Sequence, residues 1–209
     1  MTNQRRTARR MSILAGAALL ATTLTACGGT AGMDAVAVGG TFTFVSPGGQ
    51  TVITYPQEER QQIGAFSGES LMEPGTQITL DDFPGQVVVL NAWGQWCGPC
   101  RSEVDDLQVI QEELQKQGTG TVLGINVKDP SRQAAQDFVH DNSVTYPSIY
   151  DPPFRSSAAL GGVPASVIPT TIVLDKQHRP AAVFLKEVTA DEVLEVVTPL
   201  LTEQGAANG

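Results

Sequence analysis

Apolar residues follow two different periods in the middle of this chain. Residues 86–90 are apolar at almost every position, which is typical of a parallel strand covered on both faces. After residue 100 the apolar residues recur every three or four positions, which predicts a helix of about five turns ending near Gly118. Residues 93–100 (WGQWCGPC) therefore form a turn and the first helical residues.

Two shorter segments with alternating apolar residues precede this unit. Residues 41–45 and 51–55 flank a Pro-Gly-Gly turn, so we expect a β-hairpin. Residues 56–80 contain several prolines and glycines. We expect a loop there, with a short strand near 77–80.

The second half of the chain alternates strands and helices. The predicted strands are one at 121–127, an apolar one after Pro169 and one at 181–185. The predicted helices are one with Asp129 as its N-cap and Pro130 at its first position, a short one at 155–160 and one after Thr189. Thr189 and Glu192 have the spacing of a capping box, and Pro199 is expected to bend or end the last helix. This order predicts an α/β sandwich with a mixed sheet and helices on both faces.

The first 27 residues have the pattern of an export signal. Arginines at 5, 6, 9 and 10 precede an apolar run at 13–24, which is too short to predict a membrane-spanning helix. The run ends in Leu-Thr-Ala-Cys, which resembles a bacterial lipobox and implies that Cys27 carries a lipid. An uncleaved anchor and an ordinary signal with an incidental cysteine stay open, and both also place the protein outside the cytoplasm. Sec and twin-arginine export are undecided.

Composition sets the domain boundaries and excludes some partners. We divide the chain into a signal at 1–27, a Gly-rich linker at 28–40, one domain at 41–204 and a tail at 205–209. The chain has a net charge of −9, and without its first 27 residues it has 9 basic and 22 acidic residues, a net charge of −13. This acidity excludes nucleic acid as a partner and disfavours direct binding to anionic lipid. Membrane attachment is expected through a lipid on Cys27.

Cys97 and Cys100 stand three residues apart at the predicted start of the central helix. This spacing puts both thiols on one helix face, at a separation that a disulfide spans. The free N–H groups and the positive dipole end of the first turn stabilise a thiolate. We expect Cys97 to be the attacking thiol and Cys100 to be the thiol that resolves the mixed disulfide.

The cysteine pair also has interpretations other than redox chemistry. One is a structural disulfide, although closing a loop of four residues constrains the unfolded chain little. A zinc site would need a second ligand pair, and His140 and His178 stand apart, so we predict no metal and no cofactor. A Cu(I) site would need His178 as its third ligand.

Residues 87–103 (VVVLNAWGQWCGPCRSE) resemble the active-site region of the thioredoxin superfamily, and more narrowly its TlpA/ResA branch. The likeness extends over residues 65–203. It implies a thioredoxin-like three-layer α/β/α sandwich with a mixed sheet, and it places the N-terminal β-hairpin at the sheet edge. It also implies a thiol-disulfide oxidoreductase that acts on protein disulfides.

The resemblance assigns further site residues. Asn91 replaces the buried aspartate of cytoplasmic thioredoxins and cannot take a proton. Glu103, one turn beyond Cys100, is therefore the expected acid-base group, and an ordinary helix-start carboxylate is the alternative. Ile168 and Pro169 match the cis-proline segment, where a cis bond would turn the Ile168 backbone towards a substrate strand. The other expected substrate-binding residues are Trp96, Gly98 and Pro99.

The resemblance also implies a direction of electron flow. TlpA/ResA proteins are reductants that a CcdA/DsbD-type membrane carrier supplies with electrons and that keep the haem-binding cysteines of apocytochrome c reduced. By this likeness we expect a membrane-anchored reductant on the extracytoplasmic side. The main alternative is an oxidase that introduces disulfides into exported proteins, because the reduction potential sets the direction.

Overall fold

The computed structural model describes residues 36–38 and 40–203. Its strands are β1 (Val36–Val38), β2 (Val52–Thr54), β3 (Ala65–Glu69), β4 (Gln77–Thr79), β5 (Val87–Trp93), β6 (Gly120–Asn126), β7 (Ser148–Tyr150), β8 (Thr170–Leu174) and β9 (Pro180–Phe184). Its α-helices are α1 (Gly98–Ser102), α2 (Val104–Gln117), α3 (Arg132–Asp141) and α4 (Ala190–Thr202), and the longest 3-10 helix spans Arg155–Leu160. The predicted signal with Cys27 and the predicted tail lie outside the described residues. Within the described ranges, none of the helices has the length and apolarity needed to span a bilayer.

The central strand β5 lies inside a six-stranded sheet of order β2-β9-β8-β5-β6-β7. It is parallel to β6, which is parallel to β7, and it is antiparallel to β8. Strand β9 is antiparallel to β8, and β2 is antiparallel to β9. All seven residues of β5 are buried, as its continuous apolar run predicts. Because β5, β6 and β7 are parallel, their carboxyl ends meet at one edge of the sheet.

Two layers cover the faces of this sheet. Along β5 the side chains alternate, so that Val87 and Val89 face one layer while Val88 and Leu90 face the other. The α2 and α4 layer buries Leu107, Ile110, Leu114, Val193, Val197 and Leu200, and the opposite layer buries Phe42, Ile63, Phe66, Leu80 and Leu160. The predicted α/β sandwich with a mixed sheet is confirmed. Its second layer consists of the 3-10 helix and the chain around β3 and β4.

Local sequence signals explain where α2 and α4 begin and end. At the end of α2, Gly118 adopts a left-handed φ of 63°, and its N–H bonds to the carbonyl of Leu114. At the start of α4, Thr189 and Glu192 form the predicted capping box. Of the two outcomes expected at Pro199, a bend or an end of the helix, the end is wrong, because the helix continues through Pro199 to Thr202. In the last turn the lost N–H removes only one bond.

The predicted start of α3 is displaced by two residues. Ser131, and not Asp129, is the N-cap, and its hydroxyl accepts the N–H of Ala134 at 3.2 Å. Pro130 therefore precedes the helix instead of opening it. The carboxylate of Asp129 is used elsewhere, since it accepts the backbone N–H of Gln95.

The predicted β-hairpin is wrong in its first arm. Strand β2 pairs at the sheet edge as expected, but residues 41–45 form no strand. The N–H of Phe42 bonds instead to the carbonyl of Gln62, and the N–H of Phe44 bonds to the carbonyl of Gly161. The alternating phenylalanines anchor this segment to distant parts of the chain, so its backbone cannot pair with β2.

A second sheet has three strands in the order β1-β3-β4. Strand β4 confirms the short strand expected near 77–80. Strand β1 lies inside 28–40, which we predicted to be a linker, and β3 lies in a predicted loop. Strand β7 was also not predicted. These strands are three to five residues long, which is too short for a clear period-two pattern.

Candidate active site

Cys97 and Cys100 form a disulfide just after the carboxyl end of β5. Cys97 is the N-cap of α1, and the two Cα atoms lie 5.3 Å apart. The backbone N–H of Cys100 donates to the sulfur of Cys97 at 3.2 Å. When the disulfide is open, a donor in this position stabilises a thiolate on Cys97. The expected pairing and the expected place at a helix start are thus both confirmed.

The segment before β8 lies against the disulfide. The sulfur of Cys97 is 3.7 Å from the carbonyl oxygen of Ile168, and the peptide bond between Ile168 and Pro169 is cis, as predicted. Gly98 and Pro99 are exposed at the start of α1. The structure therefore brings the predicted substrate-binding residues of both segments to one place.

The two tryptophans of the central motif have different surroundings. The side chain of Trp96 is 46% exposed, and its indole N–H donates to the carbonyl of Val127 at 3.0 Å. Trp93 is buried, with its ring 5.3 Å from that of Phe138 and its indole N–H directed at the hydroxyl of Ser148. Trp93 belongs to the core, whereas Trp96 is available at the surface beside Cys97.

Glu103 lies at the junction of α1 and α2 and is completely buried. Its Oε1 accepts the side-chain amide of Asn91 at 2.8 Å, and its Oε2 accepts the backbone N–H of Val188 at 3.0 Å. Burial, which the two donors offset only in part, raises the pKa of Glu103 to about 7. The nearby carboxylates of Asp106 and Glu187 act in the same direction. Glu103 can therefore exchange a proton near neutral pH.

Asn91 supports Glu103 from the middle of the sheet. Its amide also donates to the hydroxyl of Thr171 at 3.0 Å, because Asn91 on β5 lies opposite Thr171 on β8. Its own carbonyl oxygen has no hydrogen-bond partner among the described residues. Position 91, which is a buried aspartate in cytoplasmic thioredoxins, is here an asparagine whose amide binds the carboxylate of Glu103.

Sequence reasoning missed three members of this site. The backbone N–H of Val188 binds Glu103, and no side-chain signal marks such a donor. Tyr146 is buried, and both burial and the charge of Glu103 raise its pKa above the usual range. Asp129 was predicted to cap a helix, but its carboxylate accepts the backbone N–H of Gln95 in the turn before Cys97. Its place after β6, at the carboxyl edge of the sheet, is the signal that could have identified it.

The histidines do not join the cysteines. The Nε2 atom of His178 lies 3.0 Å from the carbonyl oxygen of Phe83, and His140 is exposed at the end of α3. Within residues 36–38 and 40–203, no three His, Cys, Asp or Glu side chains are arranged to hold a metal ion. The described site thus does not bring a third ligand to the cysteines for copper.

Comparison with known proteins agrees with the geometry. Residues 60–179 match the AhpC/TSA family. The thiol-disulfide oxidoreductase ResA of Geobacillus thermodenitrificans is 29% identical over 128 residues, which cover 60% of this chain and 71% of that protein.

Two solved structures from corynebacteria are much more similar. A secreted thiol-disulfide isomerase from Corynebacterium glutamicum is 68% identical with a TM-score of 0.78, and the match covers 79% of this chain and 100% of that one. A DsbF homologue from Corynebacterium diphtheriae is 60% identical with a TM-score of 0.73, and the match covers 77% of this chain and 99% of that one. The chain therefore belongs to the AhpC/TSA family and is a thioredoxin-fold thiol-disulfide oxidoreductase.

Proposed function

We propose that this protein reduces disulfides of exported proteins, with Cys97 as the nucleophile. The observation that carries the proposal is the position of the Cys97 sulfur, which accepts the N–H of Cys100 at a helix start and lies beside Ile168. An extended substrate can pair with the Ile168 backbone while its disulfide meets Cys97. Trp96, Gly98 and Pro99 are exposed around the same point and supply further contact area.

The exchange proceeds in two steps with balanced electrons. The Cys97 thiolate attacks one sulfur of the substrate disulfide, which forms a mixed disulfide and releases one substrate thiolate. Cys100 then loses its proton and attacks Cys97, which forms the Cys97–Cys100 disulfide and releases the second substrate thiolate. Two electrons pass from the enzyme to the substrate, and each released thiolate takes up a proton.

Glu103 is the proposed acceptor of the Cys100 proton. It follows Cys100 by one helical turn, and its pKa of about 7 leaves part of it ionised at neutral pH. A carboxylate with an ordinary pKa would be a much weaker base. The transfer is direct or passes through one water molecule.

We place the protein on the extracytoplasmic face of the membrane, attached through a lipid on Cys27. The basic and apolar pattern of residues 1–27 supports export, and the 68% identical relative from C. glutamicum is described as secreted. By likeness to ResA proteins, apocytochrome c is the proposed substrate and a CcdA/DsbD-type carrier is the proposed electron donor. A dithiol outside the cytoplasm stays reduced only with such a supply.

A second candidate function is disulfide formation or isomerisation. It is favoured by the C. glutamicum relative, which is described as an isomerase and is much more similar than the ResA proteins. The same cysteines would serve both functions, and only the reduction potential would differ.

The reduction potential of the Cys97–Cys100 pair separates these candidates. It is measured from the fluorescence of the tryptophans in defined thiol buffers, with Cys97→Ser as the non-redox control. A reductant is expected at about −220 mV or below. A value near about −120 mV, in the range of strong periplasmic oxidants, would overturn the assignment and make disulfide formation the leading function.

A further inference from the structure

The loop after β6 contacts both segments that flank the disulfide. We call residues 127–129 the bridging segment. On one side its members bind the turn that precedes Cys97, and on the other the Nζ atom of Lys128 donates to the carbonyl of Ala165 at 3.1 Å. Ala165 precedes the cis-proline bond by four residues. The bridging segment thus joins the two walls of the proposed substrate groove.

Asp129 makes the side-chain contact to the Cys97 turn. One carboxylate oxygen, Oδ2, accepts both the backbone N–H of Gln95 at 3.1 Å and the side-chain amide of Asn126. Asp129 is 5% exposed and Asn126 is fully buried. A buried carboxylate is costly to retain, and here it ties a backbone amide two residues before Cys97 to the end of β6.

Backbone groups of the bridging segment hold the same turn. The N–H of Val127 bonds to the carbonyl of Trp93 at 2.8 Å, and the carbonyl of Val127 accepts the indole N–H of Trp96 at 3.0 Å. A Cβ atom on Gly94 would lie 2.8 Å from that carbonyl oxygen, so the turn is packed tightly against the segment. The turn closes when the N–H of Cys97 bonds to the carbonyl of Gly94.

The bridging segment itself has a strained backbone. Lys128 has a φ of 56°, which is uncommon for a residue other than glycine. Its N–H bonds to the carbonyl of Pro152 at 3.0 Å, which holds this conformation. Such conformations persist where surrounding contacts fix them, and they are enriched at functional sites. In this segment the side chain of Lys128 contacts Ala165, and that of Asp129 contacts Gln95.

We propose that Asp129 is a positioning residue for Cys97, which rests on the exchange function proposed above. By fixing the N–H of Gln95, it fixes the turn from which Cys97 enters α1. This determines where the Cys97 sulfur stands relative to the N–H of Cys100 and the carbonyl of Ile168. Asp129 acts through Gln95 and does not touch the reacting sulfur atoms.

Two substitutions separate the hydrogen bonds of Asp129 from its charge. Asp129→Ala removes the acceptor for both donors. Asp129→Asn keeps an oxygen at the position of Oδ2, where both donors converge, and removes the charge. It places an NH2 group at the position of Oδ1, which accepts no hydrogen bond from the described residues. Ser131→Ala is the matched control, because it removes the α3 N-cap two residues away and costs stability without touching the Cys97 turn.

The test measures the rate of reduction of a model protein disulfide by each reduced full-length variant. Unfolding by urea and hydrogen exchange of the Gln95 amide are measured in parallel. Asp129→Ala is expected to slow the reaction by about tenfold, as a misplaced reacting group does, and to speed exchange of the Gln95 amide. Asp129→Asn is expected to restore most of the rate, and Ser131→Ala to leave it unchanged despite lower stability.

Two results would overturn the inference. One is an Asp129→Ala rate equal to that of the wild type in folded protein. The other is an equal loss of rate in Ser131→Ala, which would mean that loop stability alone matters. If the wild type reduces no protein disulfide, the proposed function fails instead, and the Gln95 amide exchange in Asp129→Ala still decides whether Asp129 holds the turn.

Discussion

Two buried carboxylates at different places in the sheet are held in opposite ways. Asp175, directly after β8, is 1% exposed and lies 3.4 Å from a guanidinium nitrogen of Arg60 and 2.8 Å from one of Arg179. Glu103 is equally buried, but its hydrogen-bond donors are the neutral amide of Asn91 and a backbone N–H. The partners of Asp175 are positively charged arginines, whereas both donors to Glu103 are uncharged.

This difference distinguishes a carboxylate in a structural ion pair from one proposed to transfer protons. Asp175 is paired with two arginines, and the cluster joins the chain near Arg60 to the end of α4 through Glu203. For Glu103, burial dominates and raises the pKa to about 7. The fold therefore keeps one acid in a structural ion pair, and it surrounds Glu103, the proposed proton acceptor, with uncharged donors. The available counter-charge decides which role each has.

The largest expected effect comes from the ion-paired acid. Asp175→Ala leaves the partly buried guanidinium groups of Arg60 and Arg179 without this partner, so the free energy of unfolding should fall by about 3 kcal/mol. Urea denaturation measures the loss. The disulfide exchange rate of the folded variant should stay at the wild-type level. A slower rate with unchanged stability would mean that Asp175 takes part in the exchange reaction.

Glu103→Gln should change the pH dependence of stability. The pKa of Glu103 rises from its ordinary value of 4.5 to about 7 on folding, so the folded state binds more protons between these values. The stabilisation of the folded state by protonated Glu103 is therefore fully present below pH 4.5 and is lost as the pH rises through 7. Relative to Glu103→Gln, the wild type should lose about 3 kcal/mol over this window. Parallel curves for the two proteins in urea denaturation from pH 4 to 8 would show that Glu103 does not titrate there.

Asn91→Asp should increase the difference between Glu103 and an ordinary carboxyl group, because it adds a second acid beside Glu103. Two carboxyl groups in contact cannot both ionise easily, so the apparent pKa of Glu103 should rise further, by about 1 pH unit. The pH profile of disulfide exchange should move upward by the same amount. Asn91→Ala, which also removes the amide donor but adds no charge, is the control, and the difference between the two variants reports the added carboxyl group. An unchanged profile in Asn91→Asp would mean that the two side chains do not interact.

The smallest effect is expected for an ion pair at the surface. Lys186 bonds to Glu192 at 2.7 Å and lowers its pKa, but both side chains are more than one third exposed. Lys186→Ala should therefore cost about 0.5 kcal/mol in urea denaturation. A loss as large as that of Asp175→Ala would show that burial does not account for the difference between ion pairs.

Local patterns were sufficient to predict the elements next to the cysteines. The apolar run of β5, the periodicity of α2 and the capping box of α4 are each encoded within a few residues, and each is confirmed. The first arm of the hairpin was not predictable in this way. Its backbone bonds go to Gln62 and Gly161, which only the complete fold brings near.

The same limit applies to the candidate site. The Cys97–Cys100 spacing and the place of Glu103 follow from the sequence, but the contacts that set the properties of Glu103 do not. The side chain of Asn91 reaches Glu103 from β5, and the N–H of Val188 reaches it from the chain before α4. Burial and long-range donors decide the pKa, and neither is visible in a helical spacing.

The titration of Glu103 in the oxidised protein tests its proposed role in proton transfer most directly. Carbon-detected NMR of labelled side-chain carboxyl groups follows each acid, and Glu103→Gln identifies the signal by its disappearance. We expect a midpoint near pH 7 for this signal, because burial raises the pKa of Glu103. A midpoint near the ordinary value of 4.5 would contradict it and would leave Glu103 as a buried structural acid with no role in proton transfer.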